Sequence, residues 1–533
     1  MIMKWTLILA IIVSAISYFS HEVSMTARHI VMNYYIPVSE RTDKVSWVKK
    51  SAHSKRPNVV LIIVDDLGFN DLTNSPNIQS IYKNGAKFNN AYAAHATCAP
   101  SRASIMTGKF STKLGVEFTP HPISLDILMY FQQDLVNKNI LNWTNILTNP
   151  TMESMSLNKN ETLISNVLRD SGYLNYYLGK WHLGENEGHR PLERGYDESL
   201  SFLFGASVYG DKDDPNIISA PIERSVYDTY MTNLVPFGIS HNNGKMFKPD
   251  KYMTDYLSDN AVDIINSKSE STDPFFITLA YNAPHNPYQA LLSDYENETG
   301  LHHEKVYKAM IKAVDRGVGN VIEALKKSGK YENTLIVFTS DNGGTHLIGI
   351  DDINYPHNGW KCTFFEGGLR VPLFLQWPDK IPKETEYNKT VSHVDIFSTI
   401  TSVVNYDDSY VDGKNLIAHV LKEENEEPHK TLFWRSGDYR LLKVDNWKLS
   451  ISDHMNKQWL FNINKDPQEL NNLINHVPHN ETIKSKYNEM KEQLIEINSN
   501  QSDPLWKSPI MIPTPIYGSN ITSKYQEFIF WSV

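Results

Sequence analysis

Cysteine is almost missing from this chain: Cys98 and Cys362 are the only two in 533 residues. That excludes a disulfide framework, and no Cys and His set with zinc-ligand spacing accompanies them. Excess positive charge is missing too. Lys and Arg total 51 against 61 Asp and Glu, a net charge of −10, which argues against nucleic acid or an anionic membrane as the main partner. An anionic substrate would have to be drawn in by a local positive site. Long apolar runs are also scarce. The run from Thr6 to Ile16, after Lys4, holds about a dozen residues, short of the roughly 20 that a membrane span needs. It fits the apolar core of a secretory signal, with a short uncleaved anchor ending at Phe19 as the alternative. Either one sends the chain into the secretory pathway (secreted, lysosomal or membrane-anchored) or a periplasm. Internal repeats and low-complexity tracts are lacking.

What is present is globular: 41% hydrophobic residues, with 28 Tyr and 11 Trp. The length suffices for two domains. Residues 1–20 read as the signal or anchor and 21–56 as a polar connector. From Asn58 the texture is α/β. Val59–Val64 is a continuous β-branched and Leu run, as expected of a central parallel strand buried on both faces. Similar runs follow at Pro274–Ala280, Thr334–Thr339 and Arg370–Trp377, with helical stretches at Tyr252–Asn266 and Val306–Lys327 between them. The alternation predicts a large mixed, mostly parallel sheet sandwiched by helices over 57–430. Short strands at 431–434, 439–444, 447–451 and 458–462, then an amphipathic helix near 482–497, predict a smaller antiparallel sheet with a packing helix over 431–533. The last thirty residues are expected to wrap back over the surface. Seven Asn-x-Ser/Thr sequons, at Asn142, Asn160, Asn297, Asn388, Asn480, Asn500 and Asn520, are compatible with glycosylation.

In open α/β sheets, sites form where strand carboxyl ends meet, so polar residues directly after the strands are the candidates. Asp65 and Asp66 follow the first strand; Asp341 and Asn342 follow the strand at 334–339. Three carboxylates and an amide make an oxygen-only set suited to Ca²⁺ or Mg²⁺, although strand-end Asp and Asn also simply cap turns. Cys98-Ala99-Pro100-Ser101-Arg102 reads as a helix start. Pro100 suits the first turn, and Cys98 would lie where free N–H groups and the helix dipole favour an anion. Arg102 would add a positive charge one turn on. The plainer alternative is a buried Cys beside a surface Arg. Lys180 and His182 would face the same way on an extended segment. His285 follows a strand between Pro284 and Pro287, and Lys361 lies in Gly359-Trp360-Lys361.

Cys98-Ala-Pro-Ser-Arg-Ala-Ser-Ile-Met-Thr107-Gly108 resembles the sulfatase signature C-x-P-S-R-x-x-x-x-T-G. Gly172-Tyr173 through Gly179-Lys180-Trp181-His182 resembles the second signature of that family, and Gly359–Pro372 its G-x-K-x-x-x-x-E-G-G-x-R-V-P segment. The resemblance runs from Asn58 onward and is weak over Thr119–Ser156. That region and Ser207–Lys248 carry no readable motif and are expected to shape the substrate pocket.

The resemblance implies an alkaline-phosphatase-like fold and an arylsulfatase-like sulfuric ester hydrolase. It implies that Cys98 is oxidised to formylglycine by a formylglycine-generating enzyme. One calcium ion would be held by Asp65, Asp66, Asp341, Asn342 and the modified Cys98. Arg102, Lys180, His182, His285 and Lys361 would be catalytic: the hydrated aldehyde attacks sulfur, His285 with Lys361 protonates the departing alcohol, and His182 takes the second hydroxyl proton. Cys362 has no part in that pattern and reads as a packed thiol; His346 and His357 read as loop residues or substrate contacts. The substrate would be a sulfated small molecule or carbohydrate. A phosphatase or phosphodiesterase of the same superfamily and an inactive sulfatase-like binding protein are the rival readings. The first usually carries two metals with several His ligands; the second would be expected to lose Cys98, Arg102, Lys180 or His285, all of which are present.

Overall fold

Asn58–Val64 (β1) is buried along its whole length and lies at the middle of a ten-stranded sheet. The computed structural model describes residues 38–40, 44–47, 56–131, 140–222, 237–516 and 527–533, with 228, 232 and 235. The signal or anchor, most of the connector and the Asn520 sequon lie outside them. The other strands of this sheet are β2 (Ala86–Phe88), β3 (Leu174–Lys180), β4 (Glu198–Phe202), β5 (Ile239–His241), β6 (Met246–Phe247), β7 (Phe275–Ala280), β8 (Thr334–Ser340), β9 (Leu373–Gln376) and β10 (Thr385–Tyr387). Their order is β10-β2-β9-β8-β1-β7-β3-β4-β5-β6. The five from β8 to β4 are parallel. β9 runs antiparallel to β8, and β5 and β6 extend the far edge antiparallel. The strand read at 370–377 spans Leu373–Gln376 and runs against its neighbour β8, and the sheet is mixed and mostly parallel, as expected.

Successive residues of β1 point to opposite faces. Val60, Ile62 and Val64 join a core with α2 (Met253–Ser267) and α3 (His302–Lys327). Val59, Leu61 and Ile63 join a second core with Ala103, Ile105 and Met106 of α1 (Cys98–Thr107). Apolar residues on both sides are why the run is continuous rather than alternating.

A four-stranded antiparallel meander follows: β11 (Thr431–Ser436), β12 (Tyr439–Val444), β13 (Trp447–Ser452) and β14 (Lys457–Asn462). Leu442, Leu449 and Leu460 face Met490 and Leu494 of helix α4 (Glu481–Ser499). Leu441, Trp434 and Trp459 face Tyr92, Ala96, Phe364 and Phe365 of the larger unit. The chain end departs from expectation. Ile510–Ile516 and Glu527–Ser532 pair as strands, with Ile140–Leu141 added at one end, and Trp531, 1% exposed, joins the core between the two units. Pro513 and Pro515 obscured this. Beyond Met511 their strand has a neighbour on one side only, where proline is tolerated.

Among the described residues no helix is long and apolar enough to cross a membrane. The six described sequon asparagines are exposed.

Candidate active site

The parallel register brings the ends of β1 and β8 side by side. Asp341 N–H donates to Val64 O at 3.0 Å, and Asp66 N–H donates to Asp341 Oδ1 at 3.2 Å. Asp66 takes a positive φ of 63°, a turn that Asp tolerates better than most residues. Asp65, Asp66, Asp341 and Asn342 are all buried. Buried carboxylates need cations or donors, and three basic groups supply them. Lys180 Nζ lies 2.6 Å from Asp65 Oδ2. Lys361 Nζ lies 2.8 Å from Asp66. Arg102 Nε lies 2.8 Å from Asp341 Oδ2, and its NH1 donates to Lys180 O at 2.9 Å.

Cys98 opens α1 as expected, after Thr97, and Gly108 ends the helix in the left-handed conformation. The thiol lies 3.3 Å from Asp65 Oδ1, and Lys361 Nζ is 3.2 Å from its sulfur. Burial and then Asp65 push the thiol well above its usual range, against Lys180 and Lys361. Burial also works against the charge of Lys361, but Asp66, Cys98 and Asp65 outweigh it and hold the ammonium well above the usual lysine range.

His285 stands 3.7 Å from Asp66 through Nε2, with Nδ1 donating to Asn286 O at 2.5 Å. Burial and Lys361 push it down to about 4, against Asp66 and Asp65. Asp65, Asp66, Cys98 and His285 present one ligand atom each within 4.8 Å of one another. Lys180 is the last residue of β3, and His182 has φ 60°, so the extended conformation ends between them and the pair does not share one strand face. Neither ring nitrogen of His182 has a hydrogen-bond partner. Burial, then Lys180, Arg102 and Lys361, push it well below its usual range.

One orphaned atom marks a place that a cation fits. Asn342 Nδ2 donates to Asp66 Oδ1 at 2.7 Å, which leaves the buried Oδ1 of Asn342 with no donor. An amide oxygen beside three carboxylates, each already oriented, is what a hard divalent ion requires.

Two residues absent from the sequence reading support His285. Tyr209 OH lies 2.5 Å from Asn282 O and 2.6 Å from His285 O, and Gln289 Oε1 accepts Tyr209 N–H at 2.9 Å. Tyr209 lies within Ser207–Lys248, so part of that segment buttresses the His285 turn. No motif signals it. His357 lies edge-on to Phe69, ring centres 4.7 Å apart, and His346 faces Trp360 at 6.3 Å. Cys362 packs at the edge of the core between the two units, at a positive φ of 65°.

Comparison with known proteins agrees with this geometry. The Sulfatase family model matches residues 57–406, and a second, N-sulphoglucosamine sulphohydrolase, C-terminal, matches 358–500. The N-acetylgalactosamine-6-sulfatase of Mus musculus is 28% identical over 397 residues, covering 72% of this chain and 69% of that protein. The uncharacterized sulfatase YdeN of Escherichia coli (strain K12) is 27% identical over 428 residues, covering 71% and 68%. Ps i-CgsB, solved in complex with k-i-k-neocarrahexaose, is similar with a TM-score of 0.68 and 31% identity, over 85% of this chain and 95% of that one. The phosphonate monoester hydrolase of Agrobacterium radiobacter, at 16% identity and a TM-score of 0.56 over 82% of this chain and 96% of that one, shares the fold. The fold is thus that of the alkaline-phosphatase-like superfamily, and the chain belongs to the sulfatase family, hydrolases of sulfuric esters.

Proposed function

We propose that this enzyme removes sulfate from a sulfated carbohydrate, using Cys98 as formylglycine and a calcium ion held by Asp65, Asp66, Asp341 and Asn342. The observation that carries the reading is the charge arrangement around Cys98. Asp65, Asp66 and Asp341 are matched one for one by Lys180, Lys361 and Arg102. A divalent ion added to that balance leaves the site positive, which suits an anionic sulfate ester in a chain that is acidic overall.

Formylglycine, made from Cys98 by a formylglycine-generating enzyme, would supply a hydrated aldehyde as the nucleophile. Calcium, held by Asp65, Asp66, Asp341 and Asn342, would supply positive charge that favours the ionised nucleophile and neutralises sulfate oxygen. The chain's own residues do the rest. Lys180 and Lys361 neutralise the sulfate oxygens. Arg102 holds Asp341 in place. His285, its ring oriented by Nδ1–H donating to Asn286 O, turns Nε2 toward the site, and it is the imidazolium form that would give a proton from Nε2 to the departing alcohol. His182, with both nitrogens unpartnered, takes up a proton on the Lys180 side.

A carbohydrate substrate is supported by the bound neocarrahexaose of the 31% identical neighbour and by the N-acetylgalactosamine-6-sulfatase relatives. Export is supported by the leader read at residues 1–20 and by the exposed sequons.

The test is turnover of an aryl sulfate against an aryl phosphate, with a sulfated oligosaccharide assayed for released sulfate. Faster phosphate cleavage would sink the sulfatase chemistry. Mass spectrometry of the tryptic peptide holding Cys98 should show conversion; an intact thiol in protein from its native host would count against it. His285→Ala should lower kcat by about 10²–10⁴-fold.

A further inference from the structure

The loop that carries Lys361 is fastened to the small sheet by a buried charge network outside the chemistry above. Lys448 on β13 is 1% exposed. Its ammonium lies 3.0 Å from Glu366 Oε1 and 2.7 Å from Glu469 Oε1. The other oxygen of Glu469 accepts the Glu366 N–H at 2.6 Å. The other oxygen of Glu366 accepts from Tyr92 OH at 3.0 Å and from Arg370 at 2.8 Å. Glu469 has a positive φ of 52°, a strained region for Glu. Asp466 holds it there by accepting the Leu470 and Asn471 N–H groups at 3.1 and 2.7 Å.

From Glu366 the connection to the active site is short and without slack. Gly367 N–H donates to Asn358 O at 2.6 Å, and Gly368 N–H to Phe365 O at 3.0 Å. A Cβ on Gly367 would fall 2.1 Å from Gly359 O, and one on Gly368 would fall 2.2 Å from Thr363 O. The same loop rests on the segment after Asp341 and Asn342: Lys361 N–H donates to Gly344 O at 3.0 Å, and Gly343 N–H to Gly368 O at 3.1 Å. A displaced Glu366 therefore moves both Lys361 and the Asn342 turn.

Burying four charges does not by itself stabilise a fold, because desolvation offsets much of their attraction. The network needs another reason, and its position provides one. We propose that Lys448 and Glu469 are positioning residues: through Glu366 they set where the Lys361 ammonium and the Gly343–Gly344 turn stand relative to Cys98. The small sheet is then a working part of the active site. This rests on the reading that Lys361 acts on the substrate.

A double-mutant cycle on an aryl sulfate separates the two. Lys448→Met should lower kcat by about 10²-fold, the scale of a ~1 Å misplacement, with KM little changed, and Lys448→Arg should recover most of it. In a Lys361→Ala background, Lys448→Met should lower kcat by clearly less than it does alone, the remainder acting through the Gly343–Gly344 turn. Effects that multiply in full would overturn the positioning role while leaving Lys361 in place. An unaffected Lys361→Ala enzyme would instead overturn the role of Lys361 and this proposal with it. Far-UV circular dichroism checks the fold. If Lys448→Met does not fold, Glu469→Gln takes its place in the cycle. It keeps the acceptor for the Glu366 N–H and removes the charge, and it should give a smaller non-additive loss of kcat.

Discussion

The enzyme contains two buried charge clusters about one loop apart, and they differ in what they leave unfinished. In the cluster of Glu366, Glu469, Lys448 and Arg370, each carboxylate oxygen and each cation has a partner. In the cluster around Cys98 the charges also balance, but Asn342 Oδ1 and both nitrogens of His182 have no hydrogen-bond partner, and one terminal nitrogen of Arg102 has only the 3.9 Å ion pair with Asp65. A completed network specifies a structure; an incomplete one holds places for groups that arrive later.

The largest way to test that difference is Cys98→Ala. It should cost at least about 10⁴-fold in kcat, measured on an aryl sulfate, and leave the melting temperature nearly unchanged. Glu366→Gln should do the reverse to stability: removing one partner of a completed buried pair costs about 3–5 kcal/mol, read from urea unfolding. Asp341→Asn, in the unfinished cluster, should cost less than Glu366→Gln. Next is the cation. Calcium at 100 times its dissociation constant should stabilise the Cys98→Ala protein by about 2.7 kcal/mol, and Asp341→Asn should abolish that gain in a thermal melt with and without chelator. The smallest effect concerns pH. Burial pushes His95 down to about 4 although it faces Arg435 O, and it stays neutral beside Thr97. Between about pH 6.5 and 4 the unfolded chain binds a proton there that the folded chain does not. Stability is therefore full above 6.5 and falls as pH drops, by at most about 1.4 kcal/mol per unit. His95→Gln should reduce that slope between pH 7 and 5.

Much of the site could be read from the sequence because its residues follow apolar strands. Asp65, Asp66, Asp341 and Asn342 are marked by the runs that precede them, and Cys98 by Pro100 and Arg102. The positive φ of His182 could not be read, since backbone sterics leave no trace in Lys-Trp-His. Nor could Tyr209 be read, whose support of His285 spans 76 residues. Lys448 looked like one more residue of an antiparallel strand, because alternation predicts facing and not the partner waiting there. The reversal of Leu373–Gln376 was hidden for a similar reason. A strand buried on both faces has the same composition in either direction.

The place of Trp531 has a consequence in time. Its indole packs in the core that includes Ala96 and Tyr92, immediately before Cys98 in sequence. A ribosome adding about 5–20 residues per second makes Cys98 more than 400 residues before it makes Trp531. For roughly 20–90 s of synthesis, on that rate, the segment before Cys98 lacks the side chain that completes its cover. The order in which the chain is made thus leaves Cys98 exposed to chemistry early and enclosed late.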